Sequence, residues 1–343
     1  MSDSPPPIDF RGKRVVVTGG AGTVGFELVK QLLARHEPEV IRLFDHNEAN
    51  LYAAERSLRS HTPKLRFLLG DVRDSARVTR VFEDVDVVLH TAAVKHVPLC
   101  EYNPFEAVLT NLVGMQNVID AALTCGVERV IFTSTDKAVG PVSVMGASKL
   151  MAEKLLQAAH LSRGKHRTVF ASTRFGNVLD SRGSVVQVFR DQIIRGGPVT
   201  VTDIDMTRYL MSLVDAANLV LRGAQHANGG ELFVLKMPVV RIDDLARVMI
   251  AELGPRFGHD PASIAIRYTE PRAGEKLYEE LLSAHEMTFA DEVDDFWVLQ
   301  PAGRRSGLRS ETASRVHETG RSDWAPALDL EGVALLLHRA GVL

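Results

Sequence analysis

The chain has 343 residues, of which 45% are hydrophobic and 24% charged, and it carries a formal net charge of −3 at pH 7. These values exclude a disordered, collagen-like or coiled-coil protein, and they give no electrostatic reason to expect a nucleic acid as partner. No run approaches the roughly 20 apolar residues of a membrane-spanning helix, and the start of the chain lacks a signal peptide's basic and apolar regions, so we expect a cytoplasmic protein without a membrane span.

Through about residue 172, short β-branched or apolar runs alternate with amphipathic stretches. The apolar runs predict strands at residues 15–17, 40–44, 65–69, 85–89, 130–133 and 168–171. The stretches between them predict helices at residues 24–34, 48–60, 76–82, 105–122 and 144–159. Strands that alternate with helices form right-handed βαβ crossovers, so we predict an α/β fold with a doubly wound parallel sheet.

The composition changes after residue 172, where residues 173–207 are rich in glycine, arginine and polar residues and predict loops and short elements over a site. Beyond them we predict a helix at 214–227, a strand at 232–235 that rejoins the sheet, and helices at 242–253 and 276–283. The predicted boundary is therefore discontinuous. The sheet domain comprises 8–172 plus about 208–236, and a smaller substrate-binding domain comprises 173–207 plus about 237–343.

The first predicted strand leads directly into a glycine-rich loop and then a helix. Gly19 permits a tight turn, Gly22 lets the backbone approach a pyrophosphate, and Gly25 lets the helix pack against the strand. Asp45 ends the second strand, 20 residues beyond Gly25, where a carboxylate binds the adenosine ribose and repels a 2′-phosphate. This combination predicts a Rossmann-type site for NAD rather than NADP.

Further cofactor contacts are expected where the next strands end, because doubly wound folds bind ligands at the carboxyl edge of the sheet. After the third strand, an acid and a backbone amide are placed to bind the adenine, and after the fourth strand small residues let the backbone approach the cofactor. The predicted cofactor-binding residues on all these loops are Thr18, Gly19, Gly22, Thr23, Val24, Gly25, Asp45, His46, Asp71, Val72, Ala92 and Ala93.

The fifth strand ends in Ser134-Thr135-Asp136-Lys137, and the following helix opens with a segment that runs from Met145 to Lys149. Here the chain resembles the extended short-chain dehydrogenase/reductase family, whose signature is Tyr-x-x-x-Lys on one helix face. The resemblance implies that Lys149 binds the cofactor by holding its nicotinamide ribose. In the family this lysine also lowers the pKa of the tyrosine for proton transfer. Met145 occupies the tyrosine position here and cannot move a proton.

More specifically, residues 135–149 resemble the UDP-N-acetylglucosamine 4,6-dehydratases. In the long, membrane-anchored branch of that family, methionine replaces the tyrosine and a Thr-Asp-Lys trio performs the chemistry. The resemblance extends over nearly the whole chain, through segments 44–48, 95–98, 103–108, 174–179, 181–185, 206–209 and 274–277. The chain departs from the family in lacking the membrane helices of the long branch and in placing Asp180 where a small residue is usual.

The resemblance implies the dehydration of a UDP-N-acetylhexosamine, with UDP-GlcNAc as the expected substrate and retention at C5. In that reaction NAD takes a hydride from C4, water leaves across C5 and C6, and the hydride returns to C6 to give a 4-keto-6-deoxy sugar. We predict Asp136 as the acid at C6, Lys137 as the base at C5 and Thr135 as the hydrogen-bond partner of the C4 oxygen. Lys137 would need a depressed pKa, which burial and Lys149 would supply. Either Asp136 or a water held through Thr135 would accept the C4 proton.

The substrate contacts that the resemblance implies share charged or amide side chains suited to a pyrophosphate, a sugar or a ribose. They are Lys95, Asn177, Arg182, Arg208, Arg272 and Glu275. Arg272 is expected at the phosphate and Glu275 at the uridine ribose. The helices at 105–122 and 144–159 commonly form a dimer interface in this family, which implies a homo-oligomer. No spacing of histidine, cysteine and acidic residues indicates a metal site.

Three other functions remain open from the residues alone. A C5-inverting dehydratase shares several of the same segments. A nucleotide-sugar 4-epimerase shares the fold and the hydride step, but typically depends on the tyrosine that Met145 replaces. A catalytically silent protein that binds NAD or a nucleotide sugar would explain the missing tyrosine without requiring any turnover.

Overall fold

The structure is a computed structural model that describes residues 7–271, 274–301 and 320–343. Within these residues the strands are β1 (Arg14–Thr18), β2 (Val40–Asp45), β3 (Leu65–Leu69), β4 (Val87–His90), β5 (Arg129–Thr135), β6 (Val169–Phe175), β7 (Asn177–Val178), β8 (Val199–Val201), β9 (Thr207–Met211), β10 (Leu232–Leu235), β11 (Val239–Arg241), β12 (Ile266–Tyr268), β13 (Ala290–Val293) and β14 (Phe296–Leu299).

The helices of the same residues are α1 (Thr23–Arg35), α2 (Glu48–Ser57), α3 (Ser75–Phe82), α4 (Val97–Tyr102), α5 (Pro104–Ala107), α6 (Gly114–Cys125), α7 (Val144–Ser162), α8 (Val185–Ile194), α9 (Leu213–His226), α10 (Ile242–Leu253), α11 (Ala284–Met287) and α12 (Leu330–Arg339). A π-helical segment, Val108–Val113, joins α5 to α6. Short 3₁₀ segments occur at Arg59–Lys64, Asp136–Ala138, Pro255–Phe257 and Pro261–Ser263.

The predicted doubly wound parallel sheet is confirmed. The strand order of the main sheet is β3-β2-β1-β4-β5-β6-β10-β14-β13, and the pairs from β3 through β10 are parallel. Its central strands are buried on both faces, which explains their continuous apolar runs. The chain order reverses between β1 and β4, and this switch point opens a crevice at the carboxyl ends of the strands.

Two predicted details of the C-terminal part differ from the structure. Residues 276–283 are not helical, because tertiary contacts use their backbone groups: Leu277 accepts a hydrogen bond from the Thr207 amide at 3.0 Å, and the Leu281 amide donates to Gly320 at 2.9 Å. In addition, β14 pairs antiparallel with β10, so residues 290–299 extend the main sheet although the sequence assigned them to the substrate-binding domain. The domain boundary itself stays a prediction.

The region over the crevice has a core of its own. The small sheets β11-β9-β7 and β12-β8 lie there. An apolar cluster joins α8, α10 and α12 through residues such as Phe189, Leu245, Met249 and Leu337, all of which are at most 1% exposed. Burial of these side chains stabilises the lid-like region that faces the carboxyl ends of the main strands.

Helices α4 to α7 pass along one side of the crevice. The π-helical segment places Asn111 against the loop after β4, where its amide group bonds the backbone of Val94 at 3.0 and 3.1 Å and the Ser148 hydroxyl at 2.9 Å. Large apolar side chains remain exposed on these helices, including Tyr102 at 88% and Phe105 at 67%. The predicted homo-oligomer, expected to use this region, stays a prediction. Within the described residues, every helix is too short or too polar to cross a membrane.

Candidate active site

A cavity of about 970 Å³ lies at the switch point, between the carboxyl ends of β1, β4 and β5 and the region above them. It brings together most of the predicted cofactor, catalytic and substrate residues, although these are far apart in the sequence. Lining residues from the prediction are Gly19, Gly22, Thr23, Val24, Gly25, Asp45, His46, Asp71, Val72, Ala92, Ala93, Lys95, Thr135, Lys137, Met145, Lys149, Asn177, Arg182, Arg208 and Glu275.

Among the predicted residues that the structure describes, two are not on the cavity wall. Thr18 is fully buried below it, and its hydroxyl pairs with Nδ1 of His90 at 2.7 Å, which suits a structural role. Asp136 is fully buried behind the wall. Arg272 lies outside the described residues. Asp180, the departure from the family pattern, also lies off the wall and accepts a hydrogen bond from Arg190 at 3.1 Å.

The glycine loop has the geometry of a backbone cradle. Gly19 has φ +66°, and a Cβ atom there would lie 2.8 Å from the amide nitrogen of Ala92. At Gly25 a Cβ atom would lie 2.3 Å from the carbonyl oxygen of Gly19, so helix α1 is able to pack this closely only with glycine. The N-terminus of α1, which begins at Thr23, therefore faces the cavity with its amide groups available for an anion.

Asp45 connects the end of β2 to this loop. One carboxylate oxygen accepts a hydrogen bond from the Ala21 amide at 3.1 Å, and the other accepts one from the Asn47 amide at 3.0 Å. The side chain is only 7% exposed, yet it lines the cavity. Its position and charge suit the hydroxyl groups of a ribose and oppose a phosphate on the same ring.

At the end of β5, Asp136 organises its two neighbours. Its Oδ1 atom accepts hydrogen bonds from the Thr135 hydroxyl and from Nζ of Lys137, each at 2.9 Å. Its Oδ2 atom is buried and has no hydrogen-bond partner among the described residues. A buried carboxyl oxygen without a partner is costly, and such groups cluster where a protein performs chemistry.

Lys137 is held by more than Asp136. Its Nζ atom lies 3.1 Å from Oδ1 of Asn177 and 3.1 Å from Oε1 of Glu279. Burial alone lowers the pKa of Lys137, but the carboxylates of Asp136 and Glu279 outweigh burial and leave the pKa above its ordinary value. The expectation of a depressed pKa is therefore wrong, because the sequence did not reveal a second carboxylate at this lysine.

Glu279 is the functional candidate that the sequence analysis missed. It was assigned to a helix that does not form, and its one sequence signal is its position just after the family-like segment 274–277. In the folded chain, Ser322 fixes this segment by accepting the Glu279 amide proton at 2.9 Å. Arg208 fixes it further by donating to the carbonyl of Lys276 at 2.7 Å. The Arg208 guanidinium thus uses part of its hydrogen-bonding capacity to hold the segment that carries Glu279.

Met145 and Lys149 lie one helical turn apart on α7 and both face the cavity. The Lys149 ammonium group donates to the Thr133 carbonyl at 2.9 Å and lies 4.6 Å from the ring centre of Phe132. Burial lowers its pKa to about 8, although Glu153 acts in the opposite direction. Met145 is 4% exposed and packs with Cys100 and Ala107, so the site holds an apolar group at the position of the signature tyrosine.

Replacing Lys149 by Met should abolish a rise in stability with pH. The pKa of Lys149 is about 8 in the folded chain against 10.5 when unperturbed, so between these values the unfolded chain binds more protons. Wild type therefore gains stability as the pH rises through this window, by up to about 3 kcal/mol, and Lys149→Met lacks this gain. Urea unfolding of the cofactor-free proteins across this window measures the difference, with Lys154→Met, an exposed change on the same helix, as control. Parallel pH slopes for all three proteins would contradict the expectation.

Two further cationic side chains that line the cavity, Lys95 and Arg182, act on one another. Partial enclosure and the nearby Arg182 both lower the pKa of Lys95. The two side chains therefore repel one another when the cavity holds no anion, and a pyrophosphate between them would relieve this repulsion.

Comparison with known proteins places the chain among proteins of polysaccharide biosynthesis. The family described as "Polysaccharide biosynthesis protein" matches residues 15–301. The chain is 52% identical over 294 residues to a protein of Methanocaldococcus jannaschii named as an uncharacterized membrane protein, covering 86% of this chain and 87% of the relative. It is 40% identical over 294 residues to a UDP-N-acetylglucosamine 4,6-dehydratase (inverting) of Campylobacter jejuni, covering 85% and 84%. It is 39% identical over 298 residues to a UDP-glucose 4-epimerase of Rickettsia canadensis, covering 86% and 85%.

Solved structures also resemble this chain. The X-ray structure of Pen from Bacillus thuringiensis superimposes with a TM-score of 0.91 at 39% identity and covers 98% of this chain and 100% of that one. A dTDP-glucose 4,6-dehydratase, DesIV from Streptomyces venezuelae, solved with NAD bound, has a TM-score of 0.69 at 23% identity and covers 95% and 96%, a likeness of fold. The chain belongs to the polysaccharide biosynthesis family of short-chain dehydrogenase/reductase proteins.

Proposed function

We propose that this protein is an NAD-dependent 4,6-dehydratase that converts a UDP-N-acetylhexosamine, with UDP-GlcNAc as first candidate, to the UDP-4-keto-6-deoxy sugar. The observation that carries the proposal is the bonded Asp136–Lys137 pair beside the cavity, in a site where Met145 takes the place of the proton-transferring tyrosine. Dehydration needs an acid and a base in addition to hydride transfer, and this pair supplies both. The named dehydratase relative from Campylobacter jejuni supports the same reaction class.

We infer that the cofactor is NAD. The glycine loop forms a cradle that a Cβ atom would fill, and the N-terminus of α1 suits the pyrophosphate. Asp45 would bind the adenosine ribose, and Lys149 would bind the nicotinamide ribose. When bound, the nicotinamide would supply the redox chemistry, as acceptor of the C4 hydride and as its donor to C6.

The residues of the chain would move the protons. In the resting cluster Lys137 carries the ammonium proton and Asp136 is a carboxylate. Transfer of one proton along their 2.9 Å hydrogen bond leaves a neutral amine and a carboxylic acid. The amine would take the C5 proton as the C6–oxygen bond breaks, and the acid would protonate the leaving hydroxyl as water. Because Asp136 lies behind the cavity wall, that proton would pass through Thr135 or Lys137. When the hydride returns to C6, the Lys137 ammonium group would give a proton back to C5. The proton released from the C4 hydroxyl, passed on by a water held through Thr135, would then restore the ammonium group, so the cluster ends in its starting protonation state.

Incubation of the purified protein with UDP-GlcNAc in D₂O tests the proposal by mass spectrometry and proton NMR. Loss of one water with deuterium incorporated supports the dehydratase. The ring couplings then report the C5 configuration, for which Met145 predicts retention, whereas the name of the Campylobacter jejuni relative states inversion. If neither UDP-GlcNAc nor any GDP- or other UDP-HexNAc donor reacts, the proposal is overturned in favour of a catalytically silent binding protein.

A 4-epimerase is the second candidate, because a relative at 39% identity bears that name. Epimerisation would leave the mass unchanged and invert the hydroxyl group at C4, so the same experiment separates it from dehydration. The site opposes this candidate, since Met145 offers no proton-transferring group at the tyrosine position.

Asp45→Asn should change the choice of dinucleotide. The substitution keeps the size of the side chain but removes the charge that opposes a 2′-phosphate, so we expect the ratio of the Kd values for NADP and NAD to fall at least about tenfold. Calorimetric titration with each dinucleotide measures this ratio. Structural damage would weaken both dinucleotides alike, so the ratio serves as its own control. An unchanged ratio would remove Asp45 from the proposed ribose site.

A further inference from the structure

We propose that Glu279 is a positioning residue that holds Lys137 at the cavity and controls how readily this lysine gives up its proton. The proposal rests on the proposed dehydration, in which Lys137 must become neutral before it accepts the C5 proton. Glu279 lines the same cavity as Lys137 and lies on the segment that follows the cavity-lining residues Gly274 and Glu275.

The hydrogen-bonding geometry at Lys137 supports this role. An ammonium group has three N–H donors, and Lys137 Nζ has three acceptors, namely Asp136 at 2.9 Å, Asn177 at 3.1 Å and Glu279 at 3.1 Å. Asp136 belongs to the main sheet, whereas Asn177 and Glu279 come from the chain that covers the crevice. The position of the amine is therefore set by both parts of the molecule, and Glu279 supplies one of its two contacts with the chain that covers the crevice.

The distribution of charge assigns Glu279 a second effect. The charged groups facing Lys137 are Asp136, Glu279 and Arg208, with Arg208 Nε 3.7 Å from Glu279. Glu279 is 2% exposed, and its second oxygen, Oε2, has no hydrogen-bond partner among the described residues. A carboxylate so enclosed is weakly screened by solvent, so its field acts strongly on the lysine 3.1 Å away. Its removal should make the ammonium form of Lys137 less favourable.

Burial also raises the pKa of Glu279 itself, and nearby Asp136 adds to this, while Lys137 and Arg208 oppose it. The balance leaves Glu279 with a higher affinity for protons than an ordinary glutamate. As the pH falls, Glu279 is therefore protonated earlier than a solvent-exposed carboxylate, and its hold on the Lys137 ammonium group weakens with it.

Glu279→Gln tests the assignment, because it removes the charge and keeps the shape. Two readouts apply: the pH dependence of kcat on UDP-GlcNAc, and the pH dependence of Lys137 acetylation by acetic anhydride, followed by peptide mass spectrometry. We expect the pH at which Lys137 loses its proton to fall by about one unit, so acetylation at a fixed pH below that point should rise about tenfold. We also expect kcat to fall more than KM rises, because the amine loses its ion pair with Glu279 and is held less firmly.

Glu280→Gln is the matched control, since Glu280 is the adjacent carboxylate but pairs with Lys276 at 3.4 Å. It should leave both pH profiles unchanged. If Glu279 only supported the wall, Glu279→Gln would lower thermal stability or raise KM while both pH profiles stayed in place, and the assignment would be overturned. If wild type dehydrates UDP-GlcNAc but the two pH profiles of Glu279→Gln are unshifted, only the inference about Glu279 is overturned. Wild type without any turnover would overturn the proposed function, and acetylation of Lys137 would still decide whether Glu279 acts on it.

Discussion

Asp136→Asn should lower kcat for dehydration of UDP-GlcNAc by about 10²- to 10⁴-fold, the usual range for loss of a general acid–base group. The amide retains the size of the carboxyl group, but it does not take a proton from Lys137 and pass it to the C6 oxygen. Lys137 keeps its contacts with Asn177 and Glu279 at 3.1 Å, so the fold and the cavity should persist. The rate of product formation by mass spectrometry gives kcat, and the NAD content of the purified protein reports whether the site is intact.

The control for this prediction is Asp120→Asn on the outer face of α6, where the carboxylate accepts a hydrogen bond from Gln116 and faces solvent. It should turn over at the wild-type rate. Near-normal turnover by both Asp136→Asn and Lys137→Ala would remove the pair from the mechanism. Loss of NAD from Asp136→Asn would instead show that the carboxylate supports the cofactor site.

Arg174→Met should destabilise the folded protein by about 3–5 kcal/mol, the range for removing one partner from a buried ion pair. Arg174 is fully buried in β6 and bonds Glu153 of α7 at 2.7 and 3.1 Å. The same guanidinium donates to Glu286 at 3.0 and 3.1 Å and to the carbonyl of Leu281 at 2.9 Å. Methionine fills part of the space but leaves Glu153 as an unpaired carboxylate that is 1% exposed.

Urea unfolding at neutral pH gives the free energy of unfolding for wild type and variant. Arg11→Met is the control, because the pair of Arg11 with Glu37 joins side chains that are 75% and 70% exposed and should contribute less than about 1 kcal/mol. A loss from Arg174→Met no larger than that of the control would show that Glu153 finds another partner or takes up a proton. Because Leu281 lies two residues from Glu279, the same variant should also loosen the wall that faces Lys137.

The parallel-sheet part of the chain was predictable because its signals are local. A strand buried on both faces must be continuously apolar, and 232–235 was predicted with the bounds that β10 has. The predicted bounds 65–69 also match β3, although this edge strand is only partly buried. The glycine loop and Asp45 were predictable for the same reason, since a tight turn and a strand-end carboxylate are properties of a few neighbouring residues. The position of Lys149 on the same helix face as Met145, one turn earlier, likewise follows from helical spacing.

The C-terminal part depended on contacts between residues far apart in the chain. Residues 276–283 have a helix-like pattern, yet their carbonyls accept hydrogen bonds from Thr207 and Arg208, which lie about 70 residues away in the sequence. The antiparallel strands β13 and β14 likewise join the main sheet through β10. No local pattern specifies such pairings, because each of them depends on residues that are distant in the sequence.

The chemistry of the site divides in the same way. The resemblance of residues 135–149 to a known family singled out Asp136 and Lys137 before the fold was known, and their roles as acid and base stay a prediction. The protonation state of Lys137 depends on charge within a few ångströms in space, and the decisive carboxylate, Glu279, lies 142 positions further along the chain. Burial of Asp136 behind the cavity wall is likewise a product of packing. Residue identity therefore sets which groups are available, and folding sets their distances, their exposure and hence their proton affinity.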